Sequence, residues 1–177
     1  MISVDTPLID SAVLVPIYRD SGGKLRLVLI RRSSGGIHGG QLAFPGGKHE
    51  PDDQIMLLTA LRETREEIGL HAERVAVLAE LPPVETKATG FRIYPFLGVI
   101  VPQKWVVDER EVADVLDIDL EALADPSMYG EEMVRYDAWP CPRRIAFYRV
   151  GTLKLWGASF RILQQLMPRI LAQEWQV

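Results

Sequence analysis

Residues 46–70 read GGKHEPDDQIMLLTALRETREEIGL, and the second half of that stretch has the periodicity of a helix with an acidic end. Glu63, Glu66 and Glu67 stand three and four positions apart, which makes them neighbours on one helix surface. On a helical wheel they lie roughly opposite Leu57, Leu61, Thr64 and Ile68, a stripe with the spacing of a core-facing side. Carboxylates are disfavoured near a helix C-terminus, where the backbone dipole is already negative. Three of them crowded there require cations, and all-oxygen ligand sets suit hard divalent ions such as Mg²⁺, which also grip phosphates. For any one of these glutamates the plainer reading is a solvated acidic face balanced by Arg62 and Arg65. The glycine pair ahead of the helix, the Arg62-Glu63 pair and the terminating Gly69 set the stretch apart from such a face.

On the N-terminal side, residues 11–18 read as a buried strand and residues 25–31 as its hairpin partner across Asp20-Ser21-Gly22-Gly23. The glycine-rich residues 35–40 form a loop, followed by a short strand over 42–44. The acidic helix is expected to begin near Asp52 or Asp53, with Asp53 assigned to capping rather than metal binding. It ends at Gly69, a residue at ease in the left-handed conformation that closes helices. On the C-terminal side come a strand over 75–81, a loop over 82–90 and a longer strand over 91–101 interrupted at Pro95. A charged turn, Asp108-Glu109-Arg110-Glu111, then precedes a strand–helix unit whose helix covers 119–123. Two more strands, 133–136 and 144–150, lead to an amphipathic helix over 156–171 with Trp156, Phe160, Leu163 and Met167 as its core stripe. Strands and helices interspersed in this way predict an α/β sandwich around a mixed sheet. With 177 residues and no repeats or linker-like runs, one domain spanning 1–177 is expected.

Composition narrows the function. A hydrophobic content of 47% is enough for a proper core, and a formal charge of −4 argues against a sequence-independent grip on nucleic acid. A small nucleotide-derived substrate remains compatible with that charge. The single cysteine, Cys141, excludes an intramolecular disulfide, fits a reducing compartment and reads as a packing residue. No signal peptide, membrane-spanning run or peroxisomal terminus is visible, so a soluble cytoplasmic protein is expected.

Arg62, Glu63, Glu66, Glu67, Gly69 and Leu70 match the second half of the Nudix box, the signature of enzymes that hydrolyse a diphosphate linked to another moiety. Thr64 takes a usually apolar place, Gly47 lies one residue further from Arg62 than in the generic box, and Asp53 stands where its first Glu belongs. This expanded box, and Gly40-Gln41-Leu42-Ala43-Phe44-Pro45-Gly46-Gly47 before it, resemble the coenzyme A pyrophosphatase branch of the Nudix family. Leu81-Pro82-Pro83, Gly90-Phe91 and Leu155-Trp156-Gly157-Ala158 resemble that branch as well.

The resemblance implies a Nudix-type α/β/α sandwich and a Mg²⁺ (or Mn²⁺) dependent pyrophosphohydrolase. Glu63, Glu66, Glu67 and the carbonyl of Gly47 would be the metal ligands, with Arg62 bracing the carboxylates. Glu66 is the first choice for proton acceptor and the 108–111 turn the second. Arg31, Arg32, Phe44 and Gly46 would meet substrate. His38 and His49 read either as exposed loop residues or as substrate contacts, and Phe91 and Tyr94 either as core or as an adenine platform. The implied substrate is coenzyme A or an acyl derivative. Gly36 stands where that branch carries a second Arg, which keeps ADP-ribose, NADH or another nucleoside diphosphate derivative as the alternative. A non-catalytic ligand-binding regulator on the same scaffold is a more distant one, and a homodimer is the family-level expectation.

Overall fold

Alternation along the first strand divides its side chains between two cores. The computed structural model describes residues 7–35, 39–86, 89–135 and 139–177. In it Ile9–Arg19 forms β1, with Ala12 and Leu14 in one apolar cluster and Val15 and Ile17 in another. Leu25–Arg32 forms β2, which sends Val28 and Ile30 to the first cluster and Leu25, Leu27 and Leu29 to the second. A sheet apolar on both faces must be covered on both.

The chain continues through β3 (Leu42–Ala43), β4 (Gly46–Lys48), α1 (Met56–Ile68), β5 (Val75–Glu80), β6 (Val84–Thr86) and β7 (Phe91–Ile100). It ends with β8 (Val112–Asp119), α2 (Leu120–Leu123), β9 (Tyr129–Val134), β10 (Arg143–Val150), β11 (Leu153–Trp156) and α3 (Gly157–Leu171). α1 covers the Ala12–Leu14 face through Ala60 and Ile68, and α3 covers the other through Phe160, Leu163 and Met167. β1 pairs parallel with β7 from Ile9↔Phe91 to Ile17↔Val99, while its pairing with β2 is antiparallel, so the sheet is mixed. β5 and β6 line the far edge of β7, and β8 lines the far edge of β2. A second antiparallel sheet, β11-β10-β9, packs with α3. This is the expected α/β/α sandwich.

One detail of the sheet positions the site. β1 and β2 pair only at their hairpin end, from Ile17↔Leu27 to Arg19↔Leu25. Further along they diverge, and residues 42–48 occupy the gap, with β3 on β2 and β4 on β1. The Leu14 amide donates to the Pro45 carbonyl at 2.9 Å between the two.

Several expected boundaries move. The 91–101 strand is not interrupted at Pro95: β6 pairs up to Ile93 and β5 from Phe96, so the missing amide hydrogen falls at the break between two partners. β6 lies inside the stretch read as a loop, and β11 joins the helix read from Trp156. The expected 133–136 strand runs from Tyr129 to Val134, and Tyr136 lies outside the described residues, as do Gly36 and His38 of the glycine loop. No described helix is long and apolar enough to cross a membrane.

Candidate active site

α1 starts at Met56, with Ile55 at its N-cap and no side-chain cap, three or four residues later than expected. Asp53 is therefore not the cap. Its carboxylate is taken instead by Arg62, whose Nε and Nη2 reach Oδ1 and Oδ2 at 2.9 and 2.8 Å. A planar guanidinium matched to both carboxylate oxygens outcompetes a single capping bond. Asp53 is 7% exposed, and the Arg62 bonds hold its carboxyl far below the usual range. The remaining arm of Arg62, Nη1, reaches Glu63 Oε1 at 3.0 Å and Glu66 Oε2 at 3.1 Å, and Nη2 also donates to the Lys48 carbonyl. Arg62 thus ion-pairs with both Glu63 and Glu66.

Glu63, Glu66 and Glu67 do not share one environment. Glu67 is 1% exposed and belongs with Thr59, Ala60, Thr64 and Ile68 on the buried side of α1, not opposite the core stripe. Leu57 and Leu61, read as core, are only half-buried. The reason is β4: the Gly46 amide donates to Glu67 Oε2 at 2.8 Å, giving the carboxyl a partner inside. Gly46 has φ +150°, and a Cβ there would collide with the Ala12 carbonyl and lie 2.6 Å from Val13 Cα. At Gly47 a Cβ would fall within the Glu63 carboxyl group itself. The glycine pair thus lets two carboxyls lie directly on the backbone of β4.

Burial raises the Glu67 pKa to about 8, against the lowering effect of the Gly46 amide and of Arg32, whose Nη1 is 3.9 Å from Oε1. Glu63 is also raised, by desolvation, which outweighs Arg62. Glu66 faces solvent, with its side chain 59% exposed. Among the described residues no three His, Cys, Asp or Glu side chains converge tightly enough to enclose an ion. The donor chemistry nonetheless fits a hard divalent cation. Desolvation raises the pKa of both Glu63 and Glu67, and Glu111 adds a further negative potential at both. Bound positive charge would favour their ionised forms.

Arg32 follows Ile30 onto the α1 face of the sheet, while Arg31 follows Leu29 onto the other. Of these two arginines, only Arg32 forms an ion pair with the acidic cluster among the described residues. Phe44 is 2% exposed in the α3-side core, a packing position rather than a ligand surface. Tyr94 packs half-buried against the α1-side cluster, and Lys48 lies 5.9 Å from the Phe91 ring. The 108–111 turn is tied down at both ends. The Asp108 amide donates to the Glu67 carbonyl at 3.1 Å, and the Ser33 hydroxyl donates to the Glu109 carbonyl at 2.9 Å. The irregularity in β2–β8 pairing at Arg31/Arg32 follows immediately, a place where sheets commonly re-aim side chains. Thr59 carried no sequence signal, because a threonine at helical spacing reads as part of an apolar face.

A NUDIX domain family model matches residues 8–137. A protein of Photorhabdus laumondii named as an uncharacterized Nudix hydrolase, NudL, is 33% identical over 163 residues, covering 90% of this chain and 84% of that one. A Nudix hydrolase structure from M. smegmatis, RenU, aligns with a TM-score of 0.65 at 16% identity, over 98% of this chain and 91% of that one. The NUDIX domain of Shewanella oneidensis NrtR, solved in complex with ADP ribose, aligns with a TM-score of 0.55 at 17% identity, over 67% of this chain and 77% of that one. Family model and relative together cover the sheet, the glycine pair and the acidic helix, and the chain belongs to the Nudix hydrolase family, whose members are pyrophosphohydrolases.

Proposed function

We propose that this enzyme hydrolyses the diphosphate of coenzyme A or an acyl-coenzyme A, releasing adenosine 3′,5′-bisphosphate and (acyl-)4′-phosphopantetheine. The observation that carries the reading is the Phe44-Pro45-Gly46-Gly47 segment wedged between β1 and β2, where it holds Glu67 and Glu63 on its backbone. That segment, with the enlarged spacing to Arg62, is what resembles the coenzyme A branch.

Glu63, Glu66, Glu67 and the Gly47 carbonyl would hold Mg²⁺ or Mn²⁺. Such an ion supplies charge neutralisation at the diphosphate and acidifies an attacking water. Arg32, on the same face as Glu67, would meet a phosphate oxygen, with Gly46 beside it. The water oxygen attacks one phosphorus, the bond to the bridging oxygen breaks, and the water proton passes to Glu66, the most open of the three carboxylates. Glu111 is the second choice for that proton, supported by its electrostatic reach to Glu63 and Glu67.

Purified protein with Mg²⁺ and separate pools of coenzyme A, ADP-ribose and NADH, with products identified by mass, tests the reading. Coenzyme A should be cleaved fastest, and removal of the ion by EDTA should abolish turnover until Mg²⁺ is restored. Preferential cleavage of ADP-ribose would favour the alternative instead, which Gly36 and the fold-level likeness to an ADP-ribose complex keep in view.

A further inference from the structure

Thr59 is fully buried on α1, one turn before Arg62, and its hydroxyl sits between two partners. Oγ1 is 2.9 Å from Asp53 Oδ2 and 2.8 Å from His49 Nδ1. Asp53, ion-paired through both oxygens, can only accept. The Thr59 hydrogen therefore goes to Asp53, and its oxygen is left to accept from His49. This fixes the imidazole with its hydrogen on Nδ1 and gives the chain one direction, His49 to Thr59 to Asp53. Asp53 Oδ2 also takes the Glu50 amide at 3.1 Å, so three donors converge on one carboxylate oxygen: the Glu50 amide, the Thr59 hydroxyl and the Arg62 guanidinium. With two edges of the Arg62 fork fixed on Asp53, the third arm has one direction left, toward Glu63 and Glu66.

We propose that Thr59 is a positioning residue: its hydroxyl, held by His49, locks Asp53 so that Arg62 aims at Glu63 and Glu66. The proposal rests on the reading of those glutamates as the catalytic machinery. Thr59 itself touches no substrate and lies beneath the site. Neither His49 nor Thr59 belongs to the residues that match the box. Their effect passes through a buried oxygen that Val, of nearly the same shape, cannot supply.

The test compares Thr59→Val and Thr59→Ser with the unsubstituted enzyme. Each is assayed on whichever of coenzyme A, ADP-ribose and NADH the unsubstituted enzyme cleaves fastest. Melting temperature and the ¹⁵N signals of the His49 ring are recorded on the same samples. Thr59→Val should lower kcat about tenfold, the effect common for residues that orient ligands from behind. KM should change by less than about twofold, since the lost interaction is not a substrate contact. Thr59→Ser, which keeps the hydroxyl, should recover kcat to within about threefold. The His49 ring should carry its hydrogen on Nδ1 in the unsubstituted enzyme and lose that preference in Thr59→Val. Unchanged kcat in Thr59→Val, or a Thr59→Ser enzyme as slow as Thr59→Val, would overturn the proposal. So would a His49 ring protonated on Nε2 alone. Should Thr59→Val fail to fold, Thr59→Ser and the His49 tautomer decide. An unsubstituted protein inert toward all three diphosphates would refute the proposed function, and the tautomer would still decide the hydrogen-bond chain.

Discussion

The two long helices cover one sheet from opposite sides and bury different chemistry. α3 sets Phe160, Ile162, Leu163, Leu166, Met167 and Ile170 into its core, apolar throughout. α1 buries Thr59, Ala60, Thr64, Glu67 and Ile68, of which two carry hydroxyls and one a carboxyl. Hydrocarbon removed from water stabilises at roughly 25 cal/mol per Å² wherever it packs. Polar atoms removed from water are unfavourable unless each finds a partner. The three buried polar side chains of α1 each do: Thr64 bonds the Ala60 carbonyl at 2.6 Å, Thr59 bonds Asp53, and Glu67 takes the Gly46 amide. The contrast separates labour within one sandwich. The α3 face supplies stability, and the α1 face spends structure on keeping carboxyls dry and aimed.

Substitutions that move activity without stability, or the reverse, can break this division. The widest separation is expected at Glu66, exposed and outside every apolar cluster. Glu66→Gln should lower kcat by about 10²–10⁴-fold while moving Tm by only about 1–2 °C. Steady-state kinetics beside calorimetry would show it, and a variant with full turnover would remove Glu66 from the chemistry. The mirror image is Leu163→Ala on α3, a fully buried position. It should cost about 2–5 kcal/mol in urea unfolding while leaving kcat unchanged at a temperature where the variant is folded.

Asp53 joins the two properties and gives a pH signature. Its folded-state pKa lies below the unfolded one, so its contribution is fully present above the ordinary carboxyl range and is lost as pH falls through that range and below it. Melting temperature should decline from about pH 5 downward, and Asp53→Asn should flatten that decline while lowering stability at neutral pH. An identical acid slope in both proteins would assign it to other carboxylates. The smallest effect is expected at the end of α1, where Gly69 has φ +71° and a Cβ would lie 2.8 Å from Val106 Cβ. Gly69→Ala should cost about 1–2 kcal/mol by chemical denaturation, with Gly69→Asn milder, because asparagine tolerates the left-handed region better.

The α3 side was the more legible half of the molecule. Phe160, Leu163 and Met167 follow from spacing alone, because hydrocarbon on one stripe has one destination. The β1–β2 hairpin was equally readable, since its turn residues and alternating flanks agree. The α1 side resisted the same reasoning. Periodicity assigned Glu67 to solvent, whereas a single backbone amide from a strand 21 positions earlier admits it to the interior. Asp53 read as a cap because local chemistry favours that role, and Arg62, nine positions on, claimed it instead. Arg31 and Arg32 were inseparable by composition; only the pleat distinguishes them. Motif matching named the candidate site residues. Which of them are dry, and which neighbour orients which, depends on contacts that no local pattern contains.

The strand pair formed by residues 42–48 has a consequence for chain length. A segment hydrogen-bonded on both edges cannot slide by one position without breaking two ladders at once. The extra residue between Gly47 and Arg62 therefore has nowhere to go within β4, and α1 is anchored by Glu67 at its other end. The stretch between the two anchors is the bend at 49–55, after which α1 starts at Met56 and within which Asp53 turns inward onto Arg62. Insertions here lengthen a hinge-like corner while leaving both anchors in register.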